Sequence, residues 1–524
     1  MKNKSNFLLA STLLGAVLFN GIFWEERLAL NLFIYSLFIV TVMLLNKGIR
    51  KSAKFKIYAV AHLFAAVLVV VNNSDLSLAA YYISLLAFIG FSHFEQLRTV
   101  FLAIVSAVFQ LITAPVGLLQ NMGNAQLGTF NLKPMLRFFR YIILPIFIVI
   151  VFTSIYCAAN EVFAEAVNSI LNKIGNFFYD IVHFFFKDIN INRVLFFCFG
   201  LLVTAGLLIK FLSNFIERLE LAFKEQLLRL KKAEHTHTVW VEFLQLFTGN
   251  LPKRKLGLKT EYIIALISFA SLNLLLLSLN LVDITTLWFS YEPSGSLSAN
   301  VHHGANALIA SIILAMVVII FFFRGNLNFY SKSKPLRVLA YTWMAQNFIL
   351  IISVFIRDGY YIEFYGLTHK RIGVVVFAIL CTIGLATVYI KVARQKTLFY
   401  LLKVNGYVWF VLLLAFATIN WDVVIVRYNL AHTASISLDP DYLLSLSEKT
   451  LPILDQNRAI LLAGPSVAPR EEVAVQSTNK QMLYQIDTRI RFFKERYAQQ
   501  SWLSWNLQDW HAAEYFEVDG NEAK

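Results

Sequence analysis

Two groups of polar residues have types that could do chemistry. The first is the stretch from Arg357 to Arg371, R-D-G-Y-Y-I-E-F-Y-G-L-T-H-K-R, followed by Trp421-Asp422, Arg427-Tyr428-Asn429 and Asp439-Pro440-Asp441-Tyr442. Carboxylates, a histidine and guanidinium groups clustered at a membrane face are what an enzyme acting on lipid-linked substrates requires as general acids and bases. The same residues also suit an architectural role. Thr368 can cap the helix that follows, while Arg357 and Arg371 can pair with Asp358 and Glu363 and anchor two helix ends. The second group is neutral: His62, Gln110, Asn273, Asn306 and the pair Gln346-Asn347 lie inside otherwise apolar stretches. Groups of this kind either line a polar cavity, as in a transporter, or bond one helix to the next at about 0.6–2 kcal/mol each.

Other chemistries find no support. His302-His303 and His235-x-His237 place imidazoles side by side, where two rings seldom reach one ion, and no carboxylate or cysteine stands at ligand spacing, so no metal is expected. Cys157, Cys198 and Cys381 each sit in an apolar run without a CxxC pattern. GxSxG, HExxH, Walker and strand-linked GxGxxG motifs are all absent, so no catalytic residue and no cofactor are assigned.

The elements that must position these residues follow from composition. With 58% hydrophobic and 15% charged residues in 524, the chain carries more apolar surface than a water-soluble core can use. A bilayer core about 30 Å thick takes roughly 20 helical residues, because lipid offers no partner to an unpaired backbone group. The run Ala305–Phe323 contains no ionisable residue and stops at Arg324. By that standard spans are expected near 7–23, 28–45, 57–72, 76–93, 99–119, 138–158, 193–213, 261–282, 304–323, 337–356, 371–392 and 400–419. The expected fold is therefore all-α: a polytopic transmembrane domain of about twelve spans over residues 1–419 and a small, mainly helical extramembrane segment over 420–524. The first span reads as an uncleaved signal anchor, since no A-x-A-like site closes it.

Net charge is +14, and its placement matters more than its size. Lys47, Arg50, Lys51, Lys54 and Lys56 form one basic loop, and residues 214–259 form another, where the positive-inside rule puts cytoplasmic segments. No nucleic-acid-reading motif accompanies them, so the expected partner is the bilayer and nucleic acid is not. With 214–259 inside, the lysine- and arginine-free loop after residue 282 lies outside, and alternation places 420–524 on the extracytoplasmic face. Between the two basic loops, however, five apolar runs occur where an even number is required. One assignment is therefore wrong, and the short run near 57–72, the region of Pro115 and Gly117 and the amphipathic stretch near 161–187 are the candidates. In the last, Val162, Phe163, Ala166, Ile170, Ile174, Phe177 and Ile181 recur at helical spacing, so it either lies in the interface or packs against the bundle.

From Asn420 onward the balance turns acidic, with ten Lys and Arg against fourteen Asp and Glu. Asp439-Pro440 offers a cap and a first-turn proline for a short helix, a second helix is expected near 480–499, and Trp502, Trp505 and Trp510 suggest an aromatic cap docked on protein or on the membrane surface.

At the first polar group the chain resembles a known family. The Y-G-L-T-x-x-R element (Tyr365, Gly366, Leu367, Thr368, Arg371), then R-Y-N (Arg427, Tyr428, Asn429), then D-x-D-Y-L-x-x-L-S (Asp439, Asp441, Tyr442, Leu443, Leu446, Ser447), with W-x-x-W-N at Trp502, Trp505 and Asn506, is similar to the bacterial multi-pass membrane proteins grouped as domain of unknown function 4153 and the related 4173. The resemblance implies a bacterial inner-membrane location and transfers no catalytic residues. The function expected is that of a non-enzymatic scaffold, sensor or envelope-assembly factor presenting its C-terminal segment to a protein partner. The alternative is a transporter or lipid-handling protein with a polar cavity around Asn306, Gln346 and Asn347.

Overall fold

The computed structural model describes residues 2–124, 145, 149–150, 152–154, 156–157, 160–185, 190–210, 215–228, 258–288, 297–436, 438–462 and 472–518. Among the described residues the fold is all α-helical, relieved only by one isolated antiparallel bridge between Gln226 and Lys396. Eight helices are long and apolar enough to cross a membrane, and three shorter apolar stretches, Phe7–Phe23, Leu30–Leu45 and Ala307–Phe322, accompany them. The run expected near 138–158 falls largely outside the described residues.

The chain folds as two compact units. The first comprises Met1–Glu220, Leu414–Thr418 and Glu495–Lys524. It contains α1 (Lys2–Phe23), α2 (Leu30–Leu45), α3 (Ala53–Asn72), α4 (Asp75–His93), α5 (Val100–Asn124), α6 (Glu161–Phe185), α7 (Ile191–Leu208) and α8 (Phe215–Ala222). Small residues set its helix spacing. A Cβ on Gly90 of α4 would stand 2.1 Å from the Ala103 carbonyl of α5, and one on Gly15 of α1 would stand 2.4 Å from Thr204 of α7. Without a hydrophobic force between helices in lipid, such close backbone contact supplies the packing energy.

One end of this unit is basic. Lys51 Nζ donates to the carbonyls of Met43, Asn46 and Ile49 at 2.7–2.8 Å, closing the end of α2. Lys54 Nζ reaches Leu97 O at 2.6 Å and Lys210 Nζ reaches His93 O at 2.6 Å. Burial holds the ammonium of Lys210 below its ordinary range. Glu217 and Glu220 of α8 accept the backbone N–H groups of Gln96 and Arg98. At the opposite end Asn73 Nδ2 donates to Leu28 O at 2.8 Å, joining the α1–α2 and α3–α4 turns. The first turn of α7 lies at that second end, with Phe196 5.3 Å from Trp24, and its last turn lies at the basic end, where Leu207 O meets His93 Nε2 at 2.9 Å. α5 thus begins at the basic end, and α7 begins at the other. Over Glu161–Asn176 α6 exposes its apolar side chains, with Val162, Ile170 and Leu171 all more than half accessible.

The second unit comprises Leu221–Leu413 and Ile419–Lys494. Its helices are α9 (Leu258–Asp283), α10 (Leu297–Phe322), α11 (Lys334–Tyr365), α12 (His369–Ala393), α13 (Leu398–Ala417), α14 (Trp421–Ala431), α15 (Pro440–Ser445), α16 (Leu451–Gln456), α17 (Arg458–Leu462) and α18 (Glu472–Ala498). The last turns of α13 and of α18 belong to the first unit, as does α19 (Leu507–Tyr515). The membrane core of the second unit is built from Phe269, Ile319, Phe323, Trp343, Leu350, Ile351 and Val388. It too has a basic end: Lys391, buried at 2% exposure, donates to Phe323 O at 2.8 Å, and Arg337 Nη2 donates to Asn328 O at 2.7 Å. The strand-like contact at Gln226 and Lys396 lies there as well, with Lys403 paired to Glu225 at 2.7 Å.

Candidate functional site

The far end of the second unit carries the first polar group, and its geometry begins with one glycine. α11 closes at Gly366, whose φ of 78° and ψ of 177° belong to a region essentially confined to glycine. A Cβ there would stand 2.6 Å from Asn429 Oδ1 and 3.1 Å from Ile436. The space is filled by the Asn429 carboxamide, which pairs with the next residue as one peptide pairs with another. Leu367 N–H donates to Asn429 Oδ1 at 2.6 Å, and Asn429 Nδ2 donates to Leu367 O at 3.0 Å.

Arg371 completes the turn from below. Its Nη1 donates to Tyr365 O at 2.9 Å and to Gly366 O, satisfying the carbonyls that the end of α11 leaves open. The guanidinium lies 5.9 Å from the ring of Tyr361 and 5.8 Å from that of Tyr365. Thr368 caps α12 by accepting the Arg371 N–H at 3.4 Å, as its position before the helix leads one to expect. Of the anticipated ion pairs, the one at Arg357 is different. Arg357 pairs with Asp283 of α9 at 3.0 Å rather than with its neighbours in sequence. Asp358 is buried beside Arg371 with one carboxylate oxygen unmatched.

A second set of bonds ties α12 to the segment after Asn420. His369 Nε2 meets Asp422 Oδ1 at 2.8 Å, and the Tyr442 hydroxyl lies 3.1 Å from His369 Nδ1 and accepts the His369 backbone N–H at 3.0 Å. Asp422 Oδ2 accepts the Ser447 N–H at 3.2 Å. Burial pushes the Tyr442 phenol up from its ordinary range, so it stays protonated and available as a donor. Asp439 caps α15 by accepting the Tyr442 N–H at 3.0 Å, with Pro440 at the first helical position. Arg489 of α18 donates to the carbonyls of Leu444 and Leu446. Beneath these bonds Ile425, Val426, Leu443, Leu454 and Ile486 pack with Ile372 of α12.

The structure thus joins Tyr365, Gly366, Thr368, Arg371 and Asn429 in one knot and places Asp439 beside it as a helix cap. Arg427 and Asp441 are exposed and take no part in it. Sequence reasoning missed His369, Asp422 and Tyr442 as partners. They lie 53 and 73 residues apart, and only the type of each residue signalled it. Chemically, Asn429 and the Nη1 of Arg371 are spent on backbone groups of the turn, while Arg371 Nε and Asp358 Oδ2 are buried without a hydrogen-bond partner. Among the described residues no group of three or more His, Cys, Asp or Glu is placed to hold a metal ion.

The second polar group bonds α9 to α11. Gln346 Nε2 donates to Asn273 Oδ1 at 3.1 Å, and Asn273 Nδ2 donates to Leu339 O at 3.0 Å. Asn280 Nδ2 reaches Gln346 O at 3.1 Å, and Trp288 Nε1 reaches Ser353 Oγ at 3.1 Å. With Arg357 and Asp283 these contacts form a polar ladder along the helix pair. Asn347 instead bonds Trp343 O of its own helix at 2.7 Å. The side chain of Asn306 lies outside the described residues.

Long apolar helices with an organised polar knot at one end define a multi-pass α-helical membrane protein. Its sequence places it more closely. Residues 59–457 match the family described as Domain of unknown function (DUF4153), and the chain belongs to that family. The match runs through the Y-G-L-T-x-x-R and R-Y-N elements and past Asp439 and Tyr442. Searches of curated proteins and of solved structures return no match.

Proposed function

We propose that this chain is a non-enzymatic scaffold of the bacterial inner membrane that holds its segment from Trp421 onward fixed against the extracytoplasmic ends of its helices, where a protein partner meets it. The observation that carries this reading is the knot at Gly366. Asn429, Arg371, His369 and Tyr442 are committed to fixing one segment on another, which is the work of a rigid mount rather than of a site waiting for substrate.

The sidedness rests on both units independently. In the first, Lys51, Lys54 and Lys210 gather at the end opposite the α1–α2 turn, which carries Ser504 and Trp505. In the second, Lys391, Arg337 and Lys403 gather at the end opposite Gly366. Under the positive-inside rule the basic ends face the cytoplasm.

Single cysteines in a cysteine-free background test it. A membrane-impermeant maleimide should label Asp441→Cys and Glu514→Cys in intact spheroplasts, and Lys332→Cys only after permeabilisation. The reverse pattern would remove the proposed orientation. Flux or lipid scrambling by reconstituted protein that disappears in Gln346→Leu would replace the scaffold with a carrier.

A further inference from the structure

The segment Ser501–Tyr515 is built inside out by the standards of a water-facing peptide. Its small polar residues are buried: Ser504, Asn506 and Asp509 expose 2%, 3% and 6% of their surface. Each is engaged. Ser504 Oγ donates to Glu26 Oε2 at 2.6 Å and accepts the Arg27 N–H at 2.8 Å, Asn506 caps α19 by accepting the Asp509 N–H at 2.9 Å, and Asp509 pairs with Arg496 at 3.2 Å. Trp502 faces outward instead, 63% exposed, and Trp510 and Tyr515 are exposed as well, while Trp505 is half-buried. In water this arrangement is unfavourable, since the indole carries far more apolar surface than the hydroxyl or amide buried in its place.

The position of the segment says what covers those rings. Leu30 N–H donates to Trp505 O at 3.3 Å, so the segment is bonded to the first residue of α2, at the level where α1 and α2 emerge from the apolar layer. The exposed Leu28 lies in the same turn, and α19 packs on α3. Indole and phenol rings at that depth match the bilayer interface, where an apolar body and a polar N–H or O–H are both satisfied.

We propose that Trp502 inserts into the phospholipid interface at the α1–α2 end of the first unit, anchoring this segment to lipid as well as to protein. The anchor stands whichever face of the membrane that end occupies, so its test is separate from that of the orientation.

The full chain and its Trp502→Phe variant are reconstituted in phosphatidylcholine vesicles carrying bromine either near the carbonyl or near the chain end. The Trp502 contribution is read as the difference in emission. Loss of most of that difference with the shallow bromines, with little loss from the deep bromines or from aqueous iodide, is expected. Quenching by iodide alone would place the ring in water and overturn the proposal. Quenching by none of them would place it against protein and overturn it equally. Should Trp502→Phe fold poorly, Trp502→Tyr, which keeps an interfacial aromatic, gives the same difference measurement.

Discussion

Replacing Asn429 with alanine isolates the strongest element of the knot. The substitution removes two hydrogen bonds, from Leu367 N at 2.6 Å and to Leu367 O at 3.0 Å, and leaves both of those backbone groups without their partner. Each lost bond is worth about 0.5–1.5 kcal/mol net, and each stranded group costs about 1–3 kcal/mol where water cannot reach it. Leu367 is half-buried, so water recovers part of that loss. A total of about 2–4 kcal/mol follows, which corresponds to roughly 30- to 1,000-fold in the equilibrium between the docked and released states of the 421–446 segment. Hydrogen–deuterium exchange of peptides from that segment, with the protein in lipid nanodiscs, reads this ratio directly. Asp441→Ala is the control, because its side chain is exposed and outside the knot. An Asn429→Ala effect below about threefold, or an equal effect from Asp441→Ala, would refute the reasoning.

Gly366→Ala forces a side chain into the same space and into backbone that only glycine accepts, which costs about 1–3 kcal/mol before the clash with Asn429 is counted. Combined with Asn429→Ala, which removes the clashing amide, the two losses should fall short of their sum in thermal melts. Gln346→Leu strands Asn273 Oδ1 and should lower stability in detergent by about 0.6–2 kcal/mol, read as a lower melting temperature. Gly90→Leu drives a side chain into the Ala103 carbonyl and should separate α4 from α5, seen as loss of monodisperse protein on size exclusion. Unchanged elution and melting would show that these helices tolerate a wider spacing.

Apolar run length was enough to locate the long apolar helices among the described residues, because lipid leaves the backbone no alternative to internal hydrogen bonds. Local cap chemistry was legible for the same kind of reason. Thr368 and Asp439-Pro440 act on residues within one turn, so their types and order announce them. Pro115, which usually ends a helix, lies inside α5 without doing so. What escaped was pairing across the chain. Arg357 was expected to meet a carboxylate nearby and instead meets Asp283, 74 residues away. Asn429 carried no sign that its amide would complete a turn 62 residues earlier. Side-chain type states what a residue can bond, while the partner is chosen by which helix ends meet, and hydropathy does not specify that.

The joining of residues 495–518 to the α1–α2 turn bears on how the protein is made. Ser504 and Glu26 are 478 positions apart, so the first unit inserts early in synthesis and then waits for the residues between them before these contacts can form. During that interval the hydroxyl-binding groups at Glu26 and Arg27 stand open.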